Sequence, residues 1–221
     1  MCGRFNLAYS SGDISDKLPG VLWEIEKLPS FNIAPSTMIL VVHGSNQGFT
    51  GSLMKWGIPI TDASGRQVLM SNTRIERLLE NNSLSSRSDA LCFIPATGFY
   101  EWEQNSKTKI PFNVRLTDSE LFVMVGIYRK TANGNYCSIL TCEAPQPLRD
   151  IHPRSPLMLE ASLDIIQSNE KRSAIEYLKF SLDMQKKLQV NLTQVSPRIN
   201  NVSFNSPECL NEDVTHQIQL L

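Results

Sequence analysis

The chain has 221 residues, 41% apolar and 19% charged, which is enough for one large domain or two small ones with a real core. A formal net charge of −1 and a pI near 6.3 exclude a global positive field, so any nucleic-acid partner must be held by a local basic patch. The five cysteines (Cys2, Cys92, Cys137, Cys142, Cys209) are odd in number and form no CxxC, which argues against a disulfide framework or a structural zinc site. No apolar leader follows Met1 and no apolar run reaches membrane length, so the expected setting is a reducing cytoplasm without membrane, metal or cofactor.

In chain order, Gly3–Ser10 alternates around Phe5 and Leu7 and predicts a short strand. Ser10-Ser11-Gly12-Asp13 opens a helix with Ile14, Leu18 and the Val21–Ile25 stretch on one side. Phe31–Ser36 reads as a turn-rich segment, followed by a buried strand over Thr37–Val42 and a second hairpin arm over Gly48–Gly57. A loop at Asp62–Arg66 precedes Ser71–Arg74 and a helix from Ile75 to Leu79. Ala90–Ala96 and Gly98–Glu103 predict two apolar strands around a tight bend. Further strands are expected at Phe112–Leu116, Leu121–Tyr128 and Tyr136–Cys142, with turns at Glu103–Lys109 and Lys130–Asn135. After the polar Leu148–Arg154 segment and an extended Pro156–Leu159, helical spacing runs over Ala161–Leu188, through Ile165, Ile166, Ala174, Ile175, Leu178, Leu182 and Met184. The tail from Val195 to Val202 is polar with single apolar residues. Many strands with a few helices predict an α+β fold built on a curved or barrel-like sheet.

The chemistry centres on Met1-Cys2-Gly3-Arg4-Phe5-Asn6. Methionine is normally trimmed before a residue as small as Cys, and trimming would leave Cys2 with an α-amine and a thiol on adjacent carbons. Such a pair condenses with an aldehyde, the amine giving an imine and the thiol closing it to a thiazolidine. With an α-amino pKa near 7.7–8.0, roughly one amine in seven is unprotonated at pH 7, several hundred times the lysine fraction. Among His43, His152 and His216, the first sits beside a Gly-Ser loop and the last in the tail, which leaves His152 as the acid–base candidate.

The segments together resemble the SOS-response-associated peptidase (SRAP) family, sensors that crosslink to abasic sites in single-stranded DNA. The resemblance rests on Met1–Phe5, Phe31–Pro35, Trp56-Gly57, Asn72–Glu76, Cys92–Ala96, Gly98–Trp102, Ile151–Arg154 with Pro156-Leu157, and Val195-Ser196 with Asn200–Val202. It implies a single β-rich SRAP domain over residues 1–221 and a narrow DNA groove with Cys2 at its bottom; nothing in the sequence demands more than a monomer. It further implies Cys2 as nucleophile, Asn32 positioning the Cys2 amine and the sugar, and Glu101 and His152 as acid–base groups. DNA contacts are expected from Arg4, Asn72, Arg74, Arg154 and Arg198, because an arginine fork suits phosphate, and a stacking surface from Trp56. The segment after Trp56-Gly57 is shorter than is usual in the family, and Pro153 stands where the family commonly has Asp. Two other readings remain open. One is a cysteine peptidase acting in trans or only on its own Met1, the other a non-catalytic reader of single-stranded or modified DNA.

Overall fold

The computed structural model describes residues 2–81, 89–103 and 109–213. Its centre is a ring of strands, made possible by the long buried runs in Met38–Ser45, Asp89–Ala96, Phe122–Thr131 and Gly134–Glu143. Met38–Ser45 and Gly48–Trp56 form an antiparallel hairpin, Met38–Ser45 also pairs with Asp89–Ala96, and Asp89–Ala96 pairs with Phe122–Thr131. The last of these turns back into Gly134–Glu143, which closes the ring by a short parallel contact of Tyr136 and Cys137 with Lys55 and Trp56. Closure removes the exposed edges that an open sheet would leave. Both faces of the ring are covered: Val42, Phe93 and Val125 share one face by register, Ile94 and Ile139 the other, and all five are fully buried. Gly126 is a close approach inside this ring: a Cβ there would lie 2.8 Å from the Ser138 carbonyl and 2.6 Å from Ile94.

A second sheet of five strands runs in the order Val190–Gln194, Pro111–Leu116, Gly98–Trp102, Arg4–Leu7, Ser30–Ile33. Arg4–Leu7 is therefore paired on both sides, with Phe5 opposite Phe99 and opposite Ile33. Phe5 also meets Trp56 edge-on, with ring centroids 5.2 Å apart and planes at 70°, which packs the second sheet on the ring. Asp89–Ala96 and Gly98–Trp102 do lie either side of a tight bend, and the bend sends them into different sheets.

Several expectations are corrected. Ser30–Ile33 is a strand and not a turn, because Asn32 and Ile33 bury against the N-terminal strand. Helix Ser11–Lys17, capped by a reciprocal Ser10–Asp13 box, stops at Leu18. Val21–Trp23 then continues as a strand parallel to Phe49–Gly51. The Asp62–Arg66 loop is the turn of a small hairpin, Ile58–Thr61 with Gln67–Met70. The Ala161–Leu188 stretch is two helices, Leu163–Gln167 and Ala174–Gln185, the second with its own Ser173–Glu176 capping box. Its buried residues are Tyr177, Leu178, Ser181 and Gln185, so two polar side chains stand where apolar ones were expected. Gln185 earns its burial by accepting from the Met158 N–H at 2.6 Å and donating to Ser155 Oγ at 2.9 Å. Val190–Gln194, part of no predicted element, is the edge strand beside Pro111–Leu116. Most of the predicted Glu103–Lys109 turn lies outside the described residues.

No described helix is long and apolar enough to cross a membrane. Among the described residues, no group of three or more His, Cys, Asp and Glu side chains is placed to hold a metal ion.

Candidate active site at the amino terminus

Cys2 lies at the start of the doubly paired N-terminal strand and is fully buried. Its thiol donates to the Arg4 carbonyl at 3.6 Å, and its own carbonyl accepts from Asn72 Nδ2 at 2.8 Å. The antiparallel register sets Arg4 opposite Tyr100, so the neighbouring Glu101 falls beside the chain's beginning. Glu101 is 2% exposed. Burial lifts its carboxyl to about 7, with the positive charge of the amino terminus opposing the rise. Burial also holds the Cys2 thiol well above its ordinary range, and the Glu101 charge adds to that.

His152 ends the short Leu148–Ile151 helix and is buried. Burial pushes its imidazole below the usual value, and the amino terminus adds to the depression. The same terminal charge thus acts on Cys2, Glu101 and His152. Strand pairing accounts for the convergence. Gly134–Glu143 holds Asn72–Arg74 parallel and Arg154–Pro156 antiparallel, with Thr141 in register with both Arg74 and Pro156. Asn72 and His152 are thereby delivered from distant parts of the sequence.

The other predicted residues are distributed differently. The Asn32 amide is committed elsewhere: Oδ1 accepts from Arg4 Nη1 at 2.8 Å, and Nδ2 donates to the carbonyls of Ile199 (3.1 Å), Asn201 (3.1 Å) and Phe204 (2.8 Å). Arg4 is itself spanned to the Ile199 and Asn200 carbonyls. Asn72, expected to contact DNA, is the asparagine that touches Cys2, and its Oδ1 is buried without a partner among the described residues. Only pairing through Gly134–Glu143 puts it there, and no local signal in Asn-Thr-Arg announces it. Trp56 is a core residue, fully buried with Nε1 donating to the Ser71 carbonyl at 2.8 Å, and exposes no face for a base to stack on. Arg154 is clamped by Glu76, at 2.6 and 2.9 Å, rather than presented to solvent. Arg74 and Arg198 are exposed, the latter over the Phe204 ring at 4.0 Å from its centroid.

A closed ring of strands with a buried Cys2, tied to Asn72 and set beside a carboxyl poised near neutrality, is a class defined by its amino-terminal strand. The chain belongs to the SOS response associated peptidase (SRAP) family, whose family model matches residues 1–202. Among its relatives is the abasic site processing protein YoqW of Bacillus subtilis, 34% identical over 221 residues, covering 95% of this chain and 99% of that one. YoaM of the same organism, also an abasic site processing protein, is 32% identical over 228 residues, covering 96% and 99%. A crystal structure of a Bacteroides thetaiotaomicron protein has the same fold, with a TM-score of 0.70 at 16% identity, covering 96% of this chain and all of that one.

Proposed function

We propose that this protein captures abasic sites in single-stranded DNA by a covalent thiazolidine at Cys2, and that it does so as a monomer in the cytoplasm, at the nucleoid when DNA-bound. Loss of Met1, by a peptidase or by the chain's own thiol, exposes the 1,2-aminothiol. The Cys2 amine adds to the C1 aldehyde of the ring-opened deoxyribose. The carbinolamine loses its hydroxyl as water after protonation, leaving an imine. The Cys2 sulfur then bonds to the imine carbon, and its proton ends on the ring nitrogen, so aldehyde plus aminothiol gives thiazolidine plus one water.

The single observation that supports this reading most is the Glu101 carboxyl, buried beside Cys2 and held at about 7. Near neutral pH such a group is populated in both forms, so it can give a proton to the departing hydroxyl and take one from the thiol. That proton acceptor is needed, because the buried thiol resists ionising by itself. His152, neutral at pH 7, serves the opening of the sugar hemiacetal. Asn72 fixes the Cys2 backbone, and Arg74 and Arg198 offer exposed cations for phosphates. The peptidase reading in trans has weaker support: a peptidase nucleophile is favoured by a lowered thiol pKa, and the Cys2 environment raises it. The non-catalytic reading predicts salt-sensitive binding that ignores Cys2.

The test is a denaturing gel of Met1-free protein with a single-stranded oligonucleotide bearing one abasic site. A shifted band is expected with the wild type and none with Cys2→Ala. No band with wild type, or equal bands for both, would remove the proposal.

A further inference from the structure

Both terminal nitrogens of the Arg154 guanidinium are engaged within the protein, while its Nε is buried without a partner among the described residues. Nη1 donates to Glu76 Oε1 at 2.6 Å, and Nη2 donates to Glu76 Oε2 at 2.9 Å and to the Thr141 carbonyl at 2.6 Å. Two parallel bonds between guanidinium and carboxylate fix both position and plane. The Arg154 backbone meanwhile faces His152. Its N–H lies 3.1 Å from His152 Nδ1, and its carbonyl oxygen 2.9 Å from the same nitrogen.

One ring nitrogen cannot donate and accept at once, so the two contacts belong to two tautomers. With the proton on Nδ1, the ring donates to the Arg154 carbonyl and Nε2 offers a lone pair. With the proton on Nε2, Nδ1 accepts from the Arg154 N–H and Nε2 offers a proton. The ring keeps one orientation in both states, provided the Arg154 backbone stays in place. His152 and Pro153 are a short linkage, and what holds Arg154 is the Glu76 carboxylate on helix Ile75–Asn81, together with the Thr141 carbonyl.

We propose that Glu76 is a positioning residue for His152, acting through Arg154 so that the imidazole is held in one orientation whichever tautomer it adopts. The proposal rests on the acid–base role given to His152 above. Arg154 also keeps the Glu76 carboxyl below its usual range, so the clamp remains ionised across the range in which Glu101 titrates. Glu76 needs no contact with DNA or with Cys2 for this. Arg154, unlike Arg74 and Arg198, acts as a bracket and not as a phosphate contact.

The test uses the full-length, Met1-free protein labelled with 15N-histidine. Nitrogen and carbon-bound proton shifts of the His152 ring are compared in wild type, Glu76→Ala and Glu76→Gln. Each variant is first checked for a folded spectrum. In Glu76→Ala the His152 nitrogen shifts are expected to move toward those of a solvent-averaged imidazole. The adduct rate at saturating abasic oligonucleotide should fall about tenfold. Glu76→Gln should move both in the same direction by less, since its amide can accept only one of the two guanidinium bonds. A fold-only role for the ion pair would lower stability and leave the imidazole shifts where they are. Unmoved shifts in folded Glu76→Ala overturn the proposal. If Glu76→Ala does not fold, unmoved shifts in Glu76→Gln overturn it. Should wild type form no adduct at all, the functional reading fails, and the ring shifts still decide the positioning claim.

Discussion

Two asparagines mark two buried polar regions of opposite character. Around Asn32 every amide atom is used: one guanidinium donor and three backbone carbonyls tie the second sheet to residues 199–204. Around Asn72 the amide nitrogen holds the Cys2 carbonyl, while the oxygen is buried without a described partner. The first region is saturated and behaves as scaffold. The second holds incomplete hydrogen bonding next to groups whose protonation is displaced by burial, the condition in which a substrate supplies the missing partners.

If that contrast is right, Asn32→Ala gives the largest loss of stability. It removes one acceptor from the Arg4 guanidinium and a donor from three backbone carbonyls, and about 3–5 kcal/mol is expected in urea unfolding at pH 7. A cost under about 1 kcal/mol with a large loss of adduct formation would assign Asn32 to the site instead.

Glu101 comes next. Its carboxyl rises from 4.5 to about 7 on folding, so the native state retains a proton that the unfolded chain releases between those values. Protons are bound more tightly by the native state there, and stability must fall as pH climbs. The Glu101 contribution is most favourable below about pH 4.5, declines by about 3 kcal/mol in all as pH rises through 7, and is flat above about pH 8. Unfolding free energies measured across that window should lose most of this slope in Glu101→Gln. An unchanged slope would place the displaced proton elsewhere.

Asn72→Ala sharpens the comparison from the other side. It removes one hydrogen bond to the Cys2 carbonyl, and about 1 kcal/mol of stability is expected to go with it. Its adduct rate, followed by quenched gel time courses, should drop by about ten- to a hundredfold. The smallest expected effect is at Arg198, which is exposed over Phe204. Arg198→Ala should change stability by less than about 0.5 kcal/mol. It should weaken binding to an undamaged single strand and reduce the salt slope by about 1.

What the sequence made legible follows from how local each signal is. The Met38–Trp56 hairpin and the apolar strands through Ala96 and Trp102 were readable because runs of Ile, Leu, Val and Phe need no partner to be recognised. Cys2 was readable because its chemistry depends only on being second. Asn32 was misread as a turn residue because Pro35 and Ser36 follow it, whereas its strand exists only through pairing with Arg4–Leu7. Asn72 and Arg154 were taken for DNA contacts on residue type alone. Their partners, Cys2 and Glu76, lie 70 and 78 residues away, brought close by the pairings of Gly134–Glu143. The break between the two C-terminal helices did leave a local trace, the Ser173–Glu176 capping box inside an otherwise helical pattern.

The central claim is that the amine and thiol of a trimmed Cys2 both end up bonded to one sugar carbon. Intact-mass spectrometry of the purified protein–DNA adduct reads this when joined to its survival without reductant, because the open imine has the same mass as the thiazolidine but hydrolyses when the protein is denatured. The account predicts the mass of the Met1-free chain plus the abasic oligonucleotide less one water, stable without added reductant. An adduct that retains Met1, or one that survives only after borohydride trapping, would contradict it.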